Sequence, residues 1–224
     1  DEDIEEILNM VSQRLLDGLI FTPPTDNAEK LLCELEALEF PFISLSPKDR
    51  TQDRPFVTTS DKRGALEITN YLLSLEHNRI GFIHGPVEQL APHDRFAGYQ
   101  QALAEAGICF DPDLVAYGDD HFSSGVSAAQ KLLTIEPHPS AIFYNNDEMA
   151  AGAMASIFEA GMRFPEDISI AGFDNIPLAE QIWPPLTTVE QPIFEMAEQA
   201  TTHLIKMLNS EKDFQGDLKI PTKL

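Results

Sequence analysis

Short runs of β-branched and aromatic residues alternate along this chain with longer segments whose apolar residues recur every third or fourth position. Such alternation admits few folds, because each short run can bury itself only as a strand and each periodic segment only as a helix laid against a sheet. The strands are expected at 19–22, 41–45, 56–59, 79–84, 114–117, 140–144 and 168–172, with a further candidate at Val189 to Gln191. Helices are expected at 4–15, 28–38, 64–75, 93–106, 123–133, 148–160 and 194–208. Ser60-Asp61-Lys62-Arg63 offers a cap to the third of these. The order favours parallel strands joined by right-handed crossovers, an α/β fold. The turn-rich stretch at 46–55 and the rigid Pro184-Pro185 turn suggest two lobes, and either could carry a crossing between them.

A chain of 224 residues, 43% hydrophobic and 23% charged, can bury a substantial core. Its 37 acidic residues against 15 basic, formally -22, repel a phosphate backbone, so this segment by itself is not expected to bind nucleic acid. No run of about 18 apolar residues is available to span a membrane, and Asp1-Glu2-Asp3 is the opposite of a basic leader, so the chain reads as cytoplasmic with no membrane partner. A leader already removed would leave no trace. Cys33 and Cys109 lack metal-ligand spacing and read as free thiols packed like small hydrophobes.

Chemistry concentrates where the strands end. In a parallel sheet the loops after the strands lie along one edge, which here gathers Asp94-Arg95, Asp119-Asp120-His121-Phe122, Asn145-Asn146-Asp147 and Asp174. Carboxylates, carboxamides and one guanidinium can give and take hydrogen bonds in fixed geometry, as a polyhydroxyl ligand such as a sugar requires. Each residue also has a plainer reading. Asp94 and Asp147 could cap helices, Arg95 could be a surface arginine, and Asp174 with Asn175 and Pro177 could shape a turn. There is no glycine-rich phosphate loop, no Gly-x-Ser-x-Gly and no His-x-x-x-His pair. His84 and His93 could approach one another but lack a third ligand. Trp183, beside two prolines, reads as a packing or interface anchor. No cofactor, metal or catalytic set is implied, and the chain is not expected to be an enzyme.

Four segments then carry a resemblance: His93-Asp94-Arg95-Phe96-Ala97-Gly98-Tyr99, Asn145-Asn146-Asp147-Glu148-Met149-Ala150-Ala151-Gly152, Ile170-Ala171-Gly172-Phe173-Asp174-Asn175 and Pro184-Pro185-Leu186-Thr187-Thr188-Val189. In this order they resemble the effector-binding domain of the lac repressor family of bacterial transcription regulators. Asp17-Gly18-Leu19-Ile20 and Asp61-Lys62-Arg63-Gly64-Ala65 extend the match over nearly the whole chain. The resemblance implies a periplasmic-binding-protein-like fold of two α/β lobes with three crossings and the ligand in the cleft between them. The lobes are expected to be 1–59 with 190–215, and 60–189 with 216–224. The crossings are expected at Thr59-Ser60, just after Thr188, and near Gly216-Asp217.

On the same resemblance Arg95, Asn146 and Asp174 contact a small-molecule effector, most naturally a sugar, with Asp94, Asp120 and Phe122 beside them. In many members an aromatic residue directly follows the Gly118-Asp119 pair. Here Asp120 stands there and Phe122 comes two places later, which favours a hydroxyl-rich or cationic ligand. Such regulators carry a helix-turn-helix, a hinge helix and a strand-helix-strand of the first lobe upstream, none of it before Asp1. Residues are therefore expected to precede this chain, and operator DNA to be met only through them. A homodimer is expected, its surface on the Ala-rich helix 148–160 (Gly152, Ala153, Ala155) and on Ile176 to Ile182. The alternative is a periplasmic sugar-binding protein feeding a transporter, which a secretory leader upstream would mark.

Overall fold

Among the described residues eight strands and eight α-helices build two α/β units. The computed structural model describes residues 2–22, 28–48, 50, 53–209 and 217–224. Among them the first unit spans Asp1–Thr59 and Pro192–Ile220, and the second spans Ser60–Gln191 and Pro221–Leu224. Gly216, expected near the third crossing, and residues 49, 51 and 52 of the turn-rich stretch lie outside the described residues.

In the first unit α1 (Glu2–Ser12), β1 (Leu19–Phe21), α2 (Ala28–Ala37), β2 (Phe42–Leu45) and β3 (Phe56–Thr59) follow one another, and α8 (Ile193–Leu208) and β8 (Asp217–Ile220) return to it. The sheet is parallel, in the order β1-β2-β3-β8. Alternate strand residues point to opposite faces. Phe42 packs with Ile4, Val11, Leu31 and Leu35 under α1 and α2, while Ile43 and Val57 meet Met196 and Ala200 of α8.

In the second unit α3 (Asp61–Ser74), β4 (Ile80–His84), α4 (Leu90–Glu105), β5 (Val115–Tyr117), α5 (Phe122–Leu133), β6 (Ala141–Tyr144), α6 (Asp147–Glu159), β7 (Ser169–Ala171) and the short α7 (Pro177–Gln181) run in order. The sheet order is β5-β4-β6-β7, again all parallel. Ile80 and Phe82 face α3 and α4, where Ile68, Leu72, Tyr99 and Leu103 cover them. Ile83, Ile142 and Tyr144 face Ala129, Leu132, Ala153 and Ile157 of α5 and α6. The chain leaves β4 toward β5 on one side, then crosses back to β6 on the other. That reversal beside β4 is where open α/β sheets leave a crevice at their carboxyl edge.

Several expectations change. The segment 216–224 does not belong wholly to the second unit. Asp217–Ile220 pairs in parallel with Phe56–Thr59, giving the outer edge of β3 the hydrogen-bond partner that a buried strand needs. Glu190 and Gln191, expected in the first lobe, stay in the second, where the Gln191 N–H donates to the Asp174 carbonyl at 3.2 Å. The divisions therefore fall after Thr59, Gln191 and Ile220.

Neither turn-rich stretch carries a crossing. Arg54 ties the 46–55 segment to α2 within the first unit, through Glu29 at 2.8 Å and Glu36 at 2.8 Å. Pro184-Pro185 lies inside the second unit. Val189 to Gln191 is no strand, although Glu190 forms isolated bridges with Asp174 and Lys223. Cys33 and Cys109 are free thiols but exposed rather than packed inside. Trp183 is 86% exposed, so it anchors no packing in its own unit. Gly152 and Ala153 do not face outward either. A Cβ at Gly152 would stand 2.1 Å from the Phe122 carbonyl oxygen, so this side of α6 is covered by α5, and Ala155 and Phe158 are what it leaves exposed.

Candidate functional site

The carboxyl edge of the second sheet is organised by Arg95. Its helix, α4, starts at Leu90, three residues before the sequence reading, and lies against α3 so closely that a Cβ at Gly98 would stand 2.2 Å from the Lys62 carbonyl oxygen. That approach carries Arg95 inward until only 5% of it is exposed. A buried guanidinium must be paired and hydrogen-bonded. Nε donates to Asp61 Oδ1 at 3.0 Å, one terminal nitrogen donates to the Asn145 carbonyl at 2.5 Å, and the other meets Asp174 Oδ1 at 3.3 Å. The guanidinium carbon lies 3.8 Å from the centroid of the Phe173 ring, which packs one face of it. Burial opposes the charge, but Asp174 and Asp61 outweigh it and hold the proton more tightly than usual.

Asp174 follows β7, and its backbone has φ of 110°, with Asn175 at 55°. Such angles persist in non-glycine residues only where the surroundings over-determine them. Here the Asp174 N–H donates to the Val189 carbonyl at 2.8 Å, and the Gln191 side-chain amide donates to Asp174 Oδ1 at 2.5 Å. Burial raises the Asp174 carboxyl above its ordinary range, against the pull of Arg95.

Asp120, after β5, also has positive φ, 70°. The Asn145 amide donates to its Oδ1 at 2.8 Å. Only glycine fits at position 85, since a Cβ there would stand 2.3 Å from Asn145 Nδ2 and 2.8 Å from Asp120 Oδ1. The Asp120 carboxyl is likewise raised by burial, partly offset by Asn145 and Arg95. Asn145 is 2% exposed, and its side-chain oxygen has no hydrogen-bond partner among the described residues.

The structure thus brings Arg95, Asp120 and Asp174 into one charged cluster. Asn146 is adjacent but occupied: its oxygen accepts from the Met149 N–H at 2.9 Å as the cap of α6, and its amide donates to the Asp120 carbonyl at 2.8 Å. Phe122 opens α5, is 45% exposed, and takes a bond from its N–H to Glu148 at 3.1 Å. Asp94 is half-buried on α4 and lies within that helix rather than capping it. Asp147 is not the cap of α6 but its first residue, fully buried. It accepts from the Thr188 hydroxyl at 2.5 Å and the Ile176 N–H at 2.9 Å, and burial lifts its carboxyl to about 6.

Asp61, Thr188 and Gln191 were not singled out from the sequence as site residues, and Asn145 only as part of the Asn145-Asn146-Asp147 loop. Asp61 and Gln191 reach the cluster over separations of 34 and 17 residues, which no local pattern displays. Their one available signal was position, since Asp61 opens a helix and Gln191 follows a Thr-Thr-Val run.

His84 and His93 do meet, with ring centroids 4.9 Å apart, yet their ring nitrogens are bonded to the carbonyls of Gly85 at 2.7 Å and Val87 at 2.8 Å. Among the described residues no group of three or more histidine, cysteine or carboxylate side chains could hold a metal ion, and no helix is long and apolar enough to cross a membrane.

A family model described as a periplasmic binding protein-like domain matches residues 69–224. The transcriptional repressor CytR of Escherichia coli K12 is 41% identical over 157 residues, covering 70% of this chain and 46% of that protein. This chain therefore spans less than half the length of that relative. Among solved structures, a regulatory protein of the LacI family from Chloroflexus aggregans superimposes with a TM-score of 0.92 at 26% identity, covering 99% of this chain and 79% of the other. The transcriptional regulator CelR in complex with cellobiose gives 0.89 at 28% identity, covering 98% and 67%. The chain belongs to the periplasmic binding protein-like family, on its lac repressor branch of transcription regulators.

Proposed function

We propose that this chain is the effector-sensing part of a cytoplasmic transcriptional repressor and that the second unit receives a small, hydroxyl-bearing effector at the Arg95–Asp120–Asp174 cluster. The observation carrying this reading is a buried arginine held among carboxylates at the carboxyl edge of a parallel sheet, beside a buried carboxamide oxygen that none of the described residues satisfies. The sugar-bound state of CelR supports a sugar as the effector class. Asp94 and Phe122 flank the cluster, and Asn146 fixes the Asp120 loop from behind. The chain senses and does not catalyse, it acts as a homodimer, and it meets operator DNA only through a further domain. An effector shifts such a regulator only by its difference in affinity for two conformations.

Calorimetry against a panel of mono- and disaccharides, cellobiose and ribose included, tests the site. At least one is expected to bind, and Asp174→Ala and Asp120→Ala are each expected to weaken it by about tenfold or more, the scale of one lost charge-assisted hydrogen bond. A panel without a binder, or a binder indifferent to both substitutions, would sink the assignment.

A further inference from the structure

The side-chain atom left buried without a partner at the cluster is an acceptor. Arg95 directs its bonds to Asp61, the Asn145 carbonyl and Asp174. The Gln191 amide donates to Asp174 Oδ1, the Asn145 amide to Asp120 Oδ1, and both polar ends of Asn146 are engaged. Each of these nitrogens therefore has a partner. The Asn145 side-chain oxygen is buried and has none among the described residues. Reversing that amide would not help, because it would set the oxygen against the Asp120 carboxylate. Among the described residues no donor reaches Asp120 Oδ2 or Asp174 Oδ2.

Charge tells the same story independently. Asp61, Asp120 and Asp174 all act on Arg95, the only buried arginine or lysine among the described residues. His121 is 73% exposed in its side chain, and burial drives His84 toward its neutral form. Asp120 and Asp174 are both held above the ordinary carboxylate range, and Asp120 raises Asp174 further.

A sugar hydroxyl brings one donor and no charge, so it leaves the excess of carboxylates unanswered. An ammonium brings three donors and no acceptor. A metal ion would need a ligand set that the described residues do not provide.

We infer that the effector of this site carries a protonated amino group, seated between Asp120, Asp174 and the Asn145 side-chain oxygen, as in an amino sugar. The inference rests on the effector-binding reading above and narrows its ligand class. The ammonium supplies the missing positive charge and satisfies the orphaned carboxamide.

The test is calorimetry with matched triplets: D-glucose, D-glucosamine and N-acetyl-D-glucosamine, and the same three forms of D-galactose and D-mannose. In at least one triplet the free amino form is expected to bind about tenfold or more tighter than both neutral forms, the scale of one additional charge-assisted hydrogen bond. Asp120→Asn is expected to remove that preference. Asparagine tolerates the positive φ of this position, so the variant keeps the loop conformation. Asn145→Ser, which deletes the orphaned oxygen, is expected to reduce the preference in the same direction. Neutral forms binding as tightly as the amino form, or a preference untouched in Asp120→Asn, overturns the inference and leaves the sensor reading standing. If no member of any triplet binds while a neutral saccharide of the wider panel does, the inference again falls alone. If nothing in either panel binds, both fall together.

Discussion

Two arginines, one in each unit, sit between two carboxylates apiece, and they do different work. Arg54 bridges Glu29 and Glu36 on one face of α2, both partners 43% or more exposed, so water screens the pairs and the arginine mainly fastens a loop to a helix. Arg95 bridges Asp61 and Asp174, whose side chains are 1% and 25% exposed, at the edge of a sheet with further acidic groups behind. Similar composition thus gives a clasp in one unit and a polarised site in the other. Burial makes the difference, because a desolvated charge must be answered by its immediate neighbours.

The largest expected effect comes from removing the buried arginine. Arg95→Met removes the buried charge that pairs with Asp61 and Asp174 and is expected to lower stability by ~3–5 kcal/mol in urea unfolding at pH 7. A loss below about 1 kcal/mol would put Arg95 in the same class as Arg54 and break the comparison.

The next effect sharpens it through pH. Folding lifts Asp147 from 3.8 to about 6, so the folded chain keeps a proton that the unfolded chain has released. The stability associated with that proton is complete below the unfolded value and is lost as pH rises through the folded one. Between pH 4.5 and 7 the wild type is expected to lose about 2 kcal/mol relative to Asp147→Asn, which cannot titrate there. Parallel stability curves for the two proteins would show that Asp147 is ionised in the fold throughout. The smallest effect is expected from Arg54→Met, about 1 kcal/mol in the same unfolding measurement and smaller still in high salt.

Much of this architecture is legible in the order of residues. Period-two and period-three-to-four patterns are local, and β4, α3 and β6 fall within a few residues of where those patterns place them. β8 was missed because Asp217-Leu218-Lys219-Ile220 alternates too briefly to stand out, and only the open edge of β3 makes it a strand. Asp120 and Asp174 could be nominated because a parallel sheet gathers its loop residues at one edge, whereas Arg95, assigned to such a loop, sits inside α4. Their actual partners could not be nominated. Asp61 looks like part of a helix cap until α4 packs on α3, and nothing local shows that Asn146 bonds to Met149 and Asp120. Hydrogen bonds across tens of residues have no periodicity to betray them.

The near-contact of α5 and α6 has a mechanical meaning. Gly125 and Gly152 let the two backbones touch, Phe122 binds Glu148 through its N–H, and Asn146 holds the carbonyl of Asp120. These helices therefore cannot slide past one another without breaking several bonds at once, and they behave as a single stiff beam with Asp120 at its root. From that root α6 runs 13 residues, about 20 Å of helix, and carries the bare ring of Phe158 near its far end.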